Sequence, residues 1–279
     1  MLIDKENKYR FTEKGHKHEL LVDNTWKSLT GVTTILNVLN KPKLIQWAVD
    51  KAMCQVGWSK KDEWERIGES FRKVATPRNL RIEGVTKGLE EIAKMSPEEF
   101  LDLLDVIRVA HAQNRNEAAK YGKRVHAEVE RLILEAIAGN GGYILEQKND
   151  EKSVQHFINW SLENRVKFLG TEVHVYSEKL FLGGILDIIC EIDGQLWLSD
   201  IKTSGSGIYP ENFAQMGGYD LMVTEMKLYG KITGYIVLNL RKDGGFLEKR
   251  SVSNKNNIKF FLACLEIYRQ QQRIKSNTL

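Results

Sequence analysis

Residues 183–204 read GGILDIICEIDGQLWLSDIKTS, and no other stretch narrows so far what this chain can fold into. Two apolar, β-branched runs flank Asp193-Gly194, the dipeptide of a two-residue type I′ hairpin turn. Each run carries one aspartate, Asp187 or Asp200, where a core residue is expected. Downstream, PENFAQMGGYDLMVTEMKL has a helical pattern and KITGYIVLNLR a strand pattern. Strand, helix and strand in that order make a βαβ unit, so part of the sheet must be parallel. The expected class is α/β, with a mixed central sheet flanked by helices.

The remaining segments are arranged around that core. KYRFTEKGHKHELLVD alternates about Gly15 and predicts a hairpin. In KSLTGVTTILNVL, Ser28, Thr30 or Thr33 is placed to cap a short helix. From about 42 to 139 the pattern is mostly helical, and Ser96-Pro97-Glu98-Glu99 is a capping box with proline at the first helical position. Another helix is predicted over 151–168, TEVHVYS is read as a strand, and 255–275 as a terminal helix. The reading divides the chain into 1–120, a hairpin and helical portion packed on the core, and 121–279, the core itself.

The hairpin makes a sharper prediction. With a two-residue turn, residues whose numbers sum to 387 face each other, and Asp187 lies opposite Asp200 with Cβ atoms about 4.5–5.5 Å apart. Lys202 shares that face. Two carboxylates so placed repel by roughly 3 kcal/mol at an effective dielectric near 20, more than a favourable cross-strand pair returns. A divalent cation would offset this, and hard oxygen ligands suit Mg²⁺ or Mn²⁺. The other reading is a slipped register that puts both aspartates on a solvated face.

Asp187, Asp200-Ile201-Lys202-Thr203, Gln215-Met216-Gly217-Gly218-Tyr219 and Gly122-Lys123-Arg124-Val125-His126 stand in a suggestive order, with Gly183-Gly184 before the first aspartate. Together they resemble the PD-(D/E)XK nuclease superfamily, in its RecB-like branch, and in style the stand-alone phage or mitochondrial genome maintenance exonucleases. GVTTIL (31–36) resembles a segment near the start of such proteins. The resemblance implies a restriction-endonuclease-like core and a Mg²⁺- or Mn²⁺-dependent deoxyribonuclease. Such an enzyme hydrolyses phosphodiesters exonucleolytically to leave 5′ phosphates, in recombination, repair or replication. An endonuclease of the same superfamily and a non-catalytic DNA-binding module are the alternatives.

It also implies roles. Asp187, Asp200, His126 and the carbonyl of Ile201 would hold the metal, and Lys202 would be the catalytic lysine. Glu172 would act with Asp187 and Asp200, Glu178 competing for its place. Gln215, Tyr219, Lys123 and Arg124 would contact DNA, Tyr219 by holding the backbone or stacking on a base. On periodicity alone His126 is a structural histidine, flanking the stripe Val125, Val129, Leu132 and Ala136. Arg108, Arg115, Lys120 and Arg131 are phosphate contacts or plain solvated charge. Trp58 and Trp64 are the tryptophans set in a charged stretch.

Composition excludes more than it assigns. A net charge of +4 is compatible with a polyanionic partner without requiring one. Three scattered cysteines, Cys54, Cys190 and Cys264, cannot supply the four thiolates of an iron–sulfur cluster. MLIDKENKYR has no apolar leader core, and no apolar run approaches the ~18 residues of a membrane span. A cytoplasmic protein is expected, with DNA ends as partner and a recombinase or single-strand-binding protein as a possible companion.

Overall fold

The turn at Asp193-Gly194 forms as predicted, with φ of +50° and +73°. It joins β9 (Leu182–Ile192) to β10 (Gln195–Lys202) in the expected register, from Gln195↔Ile192 to Ser199↔Ile188. Both strands are buried along most of their length, which is why their sequences run apolar instead of alternating. The computed structural model describes residues 2–3, 8–39, 48–49, 52, 62–67, 70–75, 86–205 and 207–277. They divide into one unit of Met1–Leu39 with Gly122–Leu279 and another of Asn40–Tyr121.

In the first unit β10 pairs in parallel with β11 (Ile232–Leu240), after the crossover helix α4 (Pro210–Met226). β12 (Phe246–Ser251) adds antiparallel to β11, and β9 is flanked by antiparallel β8 (Lys167–Ser177) and parallel β5 (Thr30–Gly31). The resulting six-stranded mixed sheet packs against α1 (Val32–Leu36), α3 (Lys152–Glu163), α4 and α5 (Asn254–Asn277). The mixed α/β class stands, and the arrangement agrees with a restriction-endonuclease-like core. Leu186, Ile189, Leu198, Met216, Val223, Tyr235 and Phe261 form the centre of the apolar core.

Glycines set the closest helix crossing. A Cβ at Gly217 would lie 2.8 Å from the α5 backbone at Asn257 and Ile258, and one at Gly218 would lie 2.9 Å from the Phe261 ring. Two glycines inside a helix cost about 1 kcal/mol each in conformational entropy, a cost offset here by the contact they permit.

The predicted N-terminal hairpin forms from β2 (Tyr9–Thr12) and β3 (Lys17–Val22), within a four-stranded sheet completed by β1 (Leu2–Ile3) and β4 (Thr25–Ser28). Its inner residues Tyr9, Phe11 and Leu20 pack with Tyr176 of β8.

Several local readings change. α1 starts after Gly31 with no side-chain cap, because Ser28 and Thr30 are already in strands and Thr33 is inside the helix. The helix read over 151–168 ends at Glu163, since Arg165 turns left-handed (φ +47°) and β8 begins at Lys167. In the second unit, Asp62–Ile67 (β6) and Ser70–Ala75 (β7) form an antiparallel pair where a helix was read. The stretch is dense in charge, a pattern that suits strands as readily as helices. The other helical readings over 42–61, with Trp58, lie almost wholly outside the described residues.

α2 runs unbroken from Pro97 to Gly139, and the expected capping box closes its start. Glu99 N–H donates to Ser96 Oγ (3.2 Å) and Ser96 N–H to Glu99 Oε2 (2.7 Å). Among the described residues no helix is long and apolar enough to cross a membrane.

Candidate functional site

The ladder between β9 and β10 stops at Ser199↔Ile188, one pair short of the aspartates. There the Asp187 side chain takes over, its Oδ2 accepting the Ile201 backbone N–H at 2.9 Å. Asp200, 1% exposed, lies beneath Lys202, whose Nζ is 2.9 Å from Oδ1 and 2.6 Å from Oδ2. The second approach lies off the hydrogen-bonding direction, so Oδ2 accepts no hydrogen bond. Gln215 of α4 spans the pair, Nε2 donating to Asp200 Oδ1 and Oε1 accepting from Lys202, each at 3.3 Å. Tyr219, one turn on, accepts a further hydrogen bond from Gln215 Nε2.

The Gly183-Gly184 step has a packing reason. A Cβ at Gly184 would lie 2.7 Å from Tyr219 Cε1, and one at Gly183 would lie 2.6 Å from His18 Cβ. The first glycine admits the N-terminal hairpin and the second admits α4, both against the strand that carries Asp187. Gly122 acts similarly. Its Cβ would lie 2.9 Å from Thr203 Oγ1, so α2 comes close to the end of β10 exactly one turn before His126.

His126 Nδ1 is 3.8 Å from Asp187 Oδ2. Glu172 supplies the third group. The β8–β9 ladder pairs Thr171 with Ile188 and Val173 with Leu186, so Glu172 falls across from Asp187. Its backbone is left-handed at φ +48°, a conformation that costs a non-glycine residue about 1–3 kcal/mol and persists only where the surroundings impose it. His126, Glu172 and Asp187 thereby bring one ligand atom each within 4.8 Å of one another.

Burial, then the nearby Asp187 and Glu130 carboxylates, push the Glu172 carboxyl up to about 7. Burial also raises Asp200, against the pull of Lys202. Burial works to depress Lys202, yet the charges of Asp200 and Asp187 outweigh it and hold its ammonium above the ordinary lysine range. The centre thus has an excess of carboxylates over the single lysine that serves them. Two carboxylates and an imidazole nitrogen make a donor set suited to a divalent cation.

The other expected residues are placed as follows. Gln215 and Tyr219 are largely buried, 8% and 5% exposed, yet both line the cleft; Gln215 braces Asp200, and Tyr219 braces Gln215. Ile201 contributes its N–H to Asp187. Lys123 is exposed, and Arg124 pairs with Glu151 at 2.7 Å. Arg131 forks onto Glu128 and Glu135, and Arg108 pairs with Asp105, so these cations serve their own helix. Glu178 is exposed, its N–H donated to Glu225.

A cleft of about 800 Å³ opens over the centre. Beside His126, Glu172 and Asp187 it is lined by Gly15–His18 of the hairpin and by 28–34. Sequence reasoning placed the hairpin in the fold but gave it no part in the site; GVTTIL was the single signal pointing there. A cavity of about 840 Å³ near Asp220 and Asn254 is as large, but Asp220 is engaged by Tyr235 and Thr224 there, and the described residues bring no metal-ligating cluster to it.

No protein-family model matches the chain, and no curated protein does. Similar solved structures include that of SSO0001, 15% identical, covering 52% of this chain and 69% of that one with a TM-score of 0.25. An alkaline exonuclease from Laribacter hongkongensis, LHK-Exo, is 13% identical, and its complex with dAMP 16%; each covers 56% of this chain and 85% of that one with a TM-score of 0.27. Likenesses this loose say nothing about the chemistry of the site.

Proposed function

We propose that this chain is a divalent-metal-dependent nuclease that hydrolyses DNA phosphodiesters from strand ends and leaves 5′ phosphates. The observation that carries the reading is the convergence of His126, Glu172 and Asp187 within 4.8 Å, on the floor of an open cleft. Hydrolytic use of the cleft fits the adjoining Asp200–Lys202 pair. The choice of DNA, and of ends, rests on the motif resemblance.

His126, Glu172 and Asp187 would hold the ion, with Asp200 and the Ile201 carbonyl as the further ligands the motifs imply. When bound, the cation supplies Lewis-acid polarisation of the phosphodiester and acidifies water. Lys202 keeps its charge between Asp200 and Gln215 and retains 26% side-chain exposure. It is therefore placed to meet the negative charge that develops on phosphorus oxygens in the transition state. Gln215 bridges Asp200 and Lys202 and holds the two in register. The Glu172 carboxyl, pushed up to about 7, would have to give up its proton in order to ligate a cation.

End-labelled linear single- and double-stranded DNA and a closed single-stranded circle, incubated with Mg²⁺, Mn²⁺ or EDTA, test this reading. Wild type should degrade the linear substrates only with metal and spare the circle. Lys202→Ala should lower single-turnover cleavage by about 10²–10³-fold while leaving DNA binding in place. A wild-type protein that leaves every substrate intact with either metal refutes the nuclease.

A further inference from the structure

The cleft has walls of opposite charge. Its floor carries Glu172 and Asp187, with Asp200 behind them, and a polyanion approaching these is repelled unless cations hold its neighbouring phosphates. Among the described residues that line the cleft, Lys17 is the only lysine or arginine.

Lys17 is not a loosely tethered surface charge. It follows the left-handed corner Gly15-His16 (φ +91° and +48°), which sets where β3 leaves the turn. Its Nζ is 3.0 Å from Glu19 Oε1, while Glu19 Oε2 accepts from Arg10 Nε at 2.7 Å. Arg10 in turn lies over the Trp26 ring, 4.3 Å from its centroid. Glu19 is shielded by these two cations themselves, and the hydrogen bond from Arg10 does most to hold its carboxyl below the usual carboxylate range. Two cations on one carboxylate leave a surplus positive charge. Lys17 keeps 55% of its side chain exposed, and an ammonium has three donors, of which Glu19 takes one.

The position of this wall is fixed by packing. On the opposite face of β3, His18 fills the space that a side chain at Gly183 would take, and Gly183 precedes Asp187 by four residues on one strand. Tyr9 Oη, 2.6 Å from His18 Nδ1 within the hairpin, also lies 3.4 Å from His174 Nδ1 of β8. The backbone of β3, from which Lys17 projects, is therefore seated on the strand that carries Asp187.

We infer that Lys17 seats a phosphate of the substrate strand, the one adjoining the phosphodiester at the His126–Glu172–Asp187 floor. The inference rests on the nuclease reading above and adds to it a contact on the N-terminal hairpin. Because the contact is to a phosphate, it aids binding of every sequence equally.

The test separates binding from cleavage. Binding of a fluorescein-labelled single-stranded oligonucleotide is followed by anisotropy in EDTA across a KCl series, for wild type, Lys17→Gln and Lys17→Arg. Steady-state cleavage and Mn²⁺ affinity are measured on the same proteins, and circular dichroism checks that each is folded. For Lys17→Gln the slope of log K against log[KCl] should be shallower by about 0.7. KM should rise about three- to tenfold with kcat within twofold and Mn²⁺ affinity unchanged, and Lys17→Arg should restore binding.

A methylphosphonate scan supplies the second measurement. One neutralised linkage should weaken wild-type binding but leave Lys17→Gln unaffected, the non-additivity of partners in direct contact. An unchanged salt slope and KM in Lys17→Gln, with cleavage intact, overturns the phosphate seat and leaves the nuclease reading standing. A wild type that neither binds nor cuts DNA overturns both.

Discussion

Two hairpins of the same unit face one cleft, and they carry their polar residues on opposite terms. The β9–β10 hairpin lies in the middle of the sheet, with neighbours on both sides, and most of its positions are buried. Asp187 and Asp200 go against that setting, and each is answered by a specific partner. The β2–β3 hairpin lies outside that sheet and covers its residues on one face, so Arg10, Lys17 and Glu19 alternate with Tyr9, Phe11, His18 and Leu20. A polar residue in the first hairpin is a departure from pattern, whereas in the second it is the pattern. Both supply the cleft, but only the first advertises it.

The comparison can be broken at the glycines where the two meet. Gly184→Ala forces Tyr219, and Gly183→Ala forces His18, out of close packing, and each should cost about 1–3 kcal/mol by denaturant melts. Gly184→Ala should also depress cleavage through Gln215, which Tyr219 supports, while Gly183→Ala should mainly loosen the outer hairpin. Equal effects of both on kcat would mean that the hairpins are not separable.

A smaller effect is expected at Glu172. In an ordinary strand position glycine is less stable than alanine, but at φ +48° the order should invert, Glu172→Gly exceeding Glu172→Ala by about 1 kcal/mol. Both should lose Mn²⁺ affinity in calorimetric titration. The ordinary order would show that the left-handed backbone is not imposed by its surroundings.

The smallest effects are in pH, where the two walls respond with opposite sign. Glu172 titrates at about 7 in the fold against 4.5 unfolded, so the native state holds more protons in that window and metal-free stability falls as pH rises through it. His18 is driven down to about 4 by burial, His174 and His16, so its contribution is lost as pH falls from 6.5 towards 4. Glu172→Gln should abolish the loss between pH 5 and 8, and a saturating divalent ion should mask it; thermal melts in EDTA and Mn²⁺ check both.

Legibility followed the same divide. Asp-Gly flanked by apolar runs was enough for the turn and its register, and the helical and strand patterns after it for the βαβ core, because strand burial leaves few alternatives. The convergence of Glu172 depended on a left-handed residue inside β8, a conformation that no propensity of glutamate announces. The β6–β7 pair was hidden by charge patterns that helices and strands share. Lys17 was invisible for a different reason. Its meaning comes from what lies across the cleft, and β3 and Asp187 are far apart along the chain.

The parallel pairing of β5 with β9, Thr30↔Leu182 and Gly31↔Gly183, has a consequence for the order of folding. Its partners are separated by most of the polypeptide, including the whole of the second unit. Closing that loop is an entropic event which must precede any reward from the contact, so the seam should zip late, after the local β8–β9–β10 meander. Yet loop-closure entropy grows only logarithmically, by about 0.6 kcal/mol for each doubling of length. The second unit, Asn40–Tyr121, is thus free to lengthen or shorten over evolutionary time at small thermodynamic cost, while the seam itself is not.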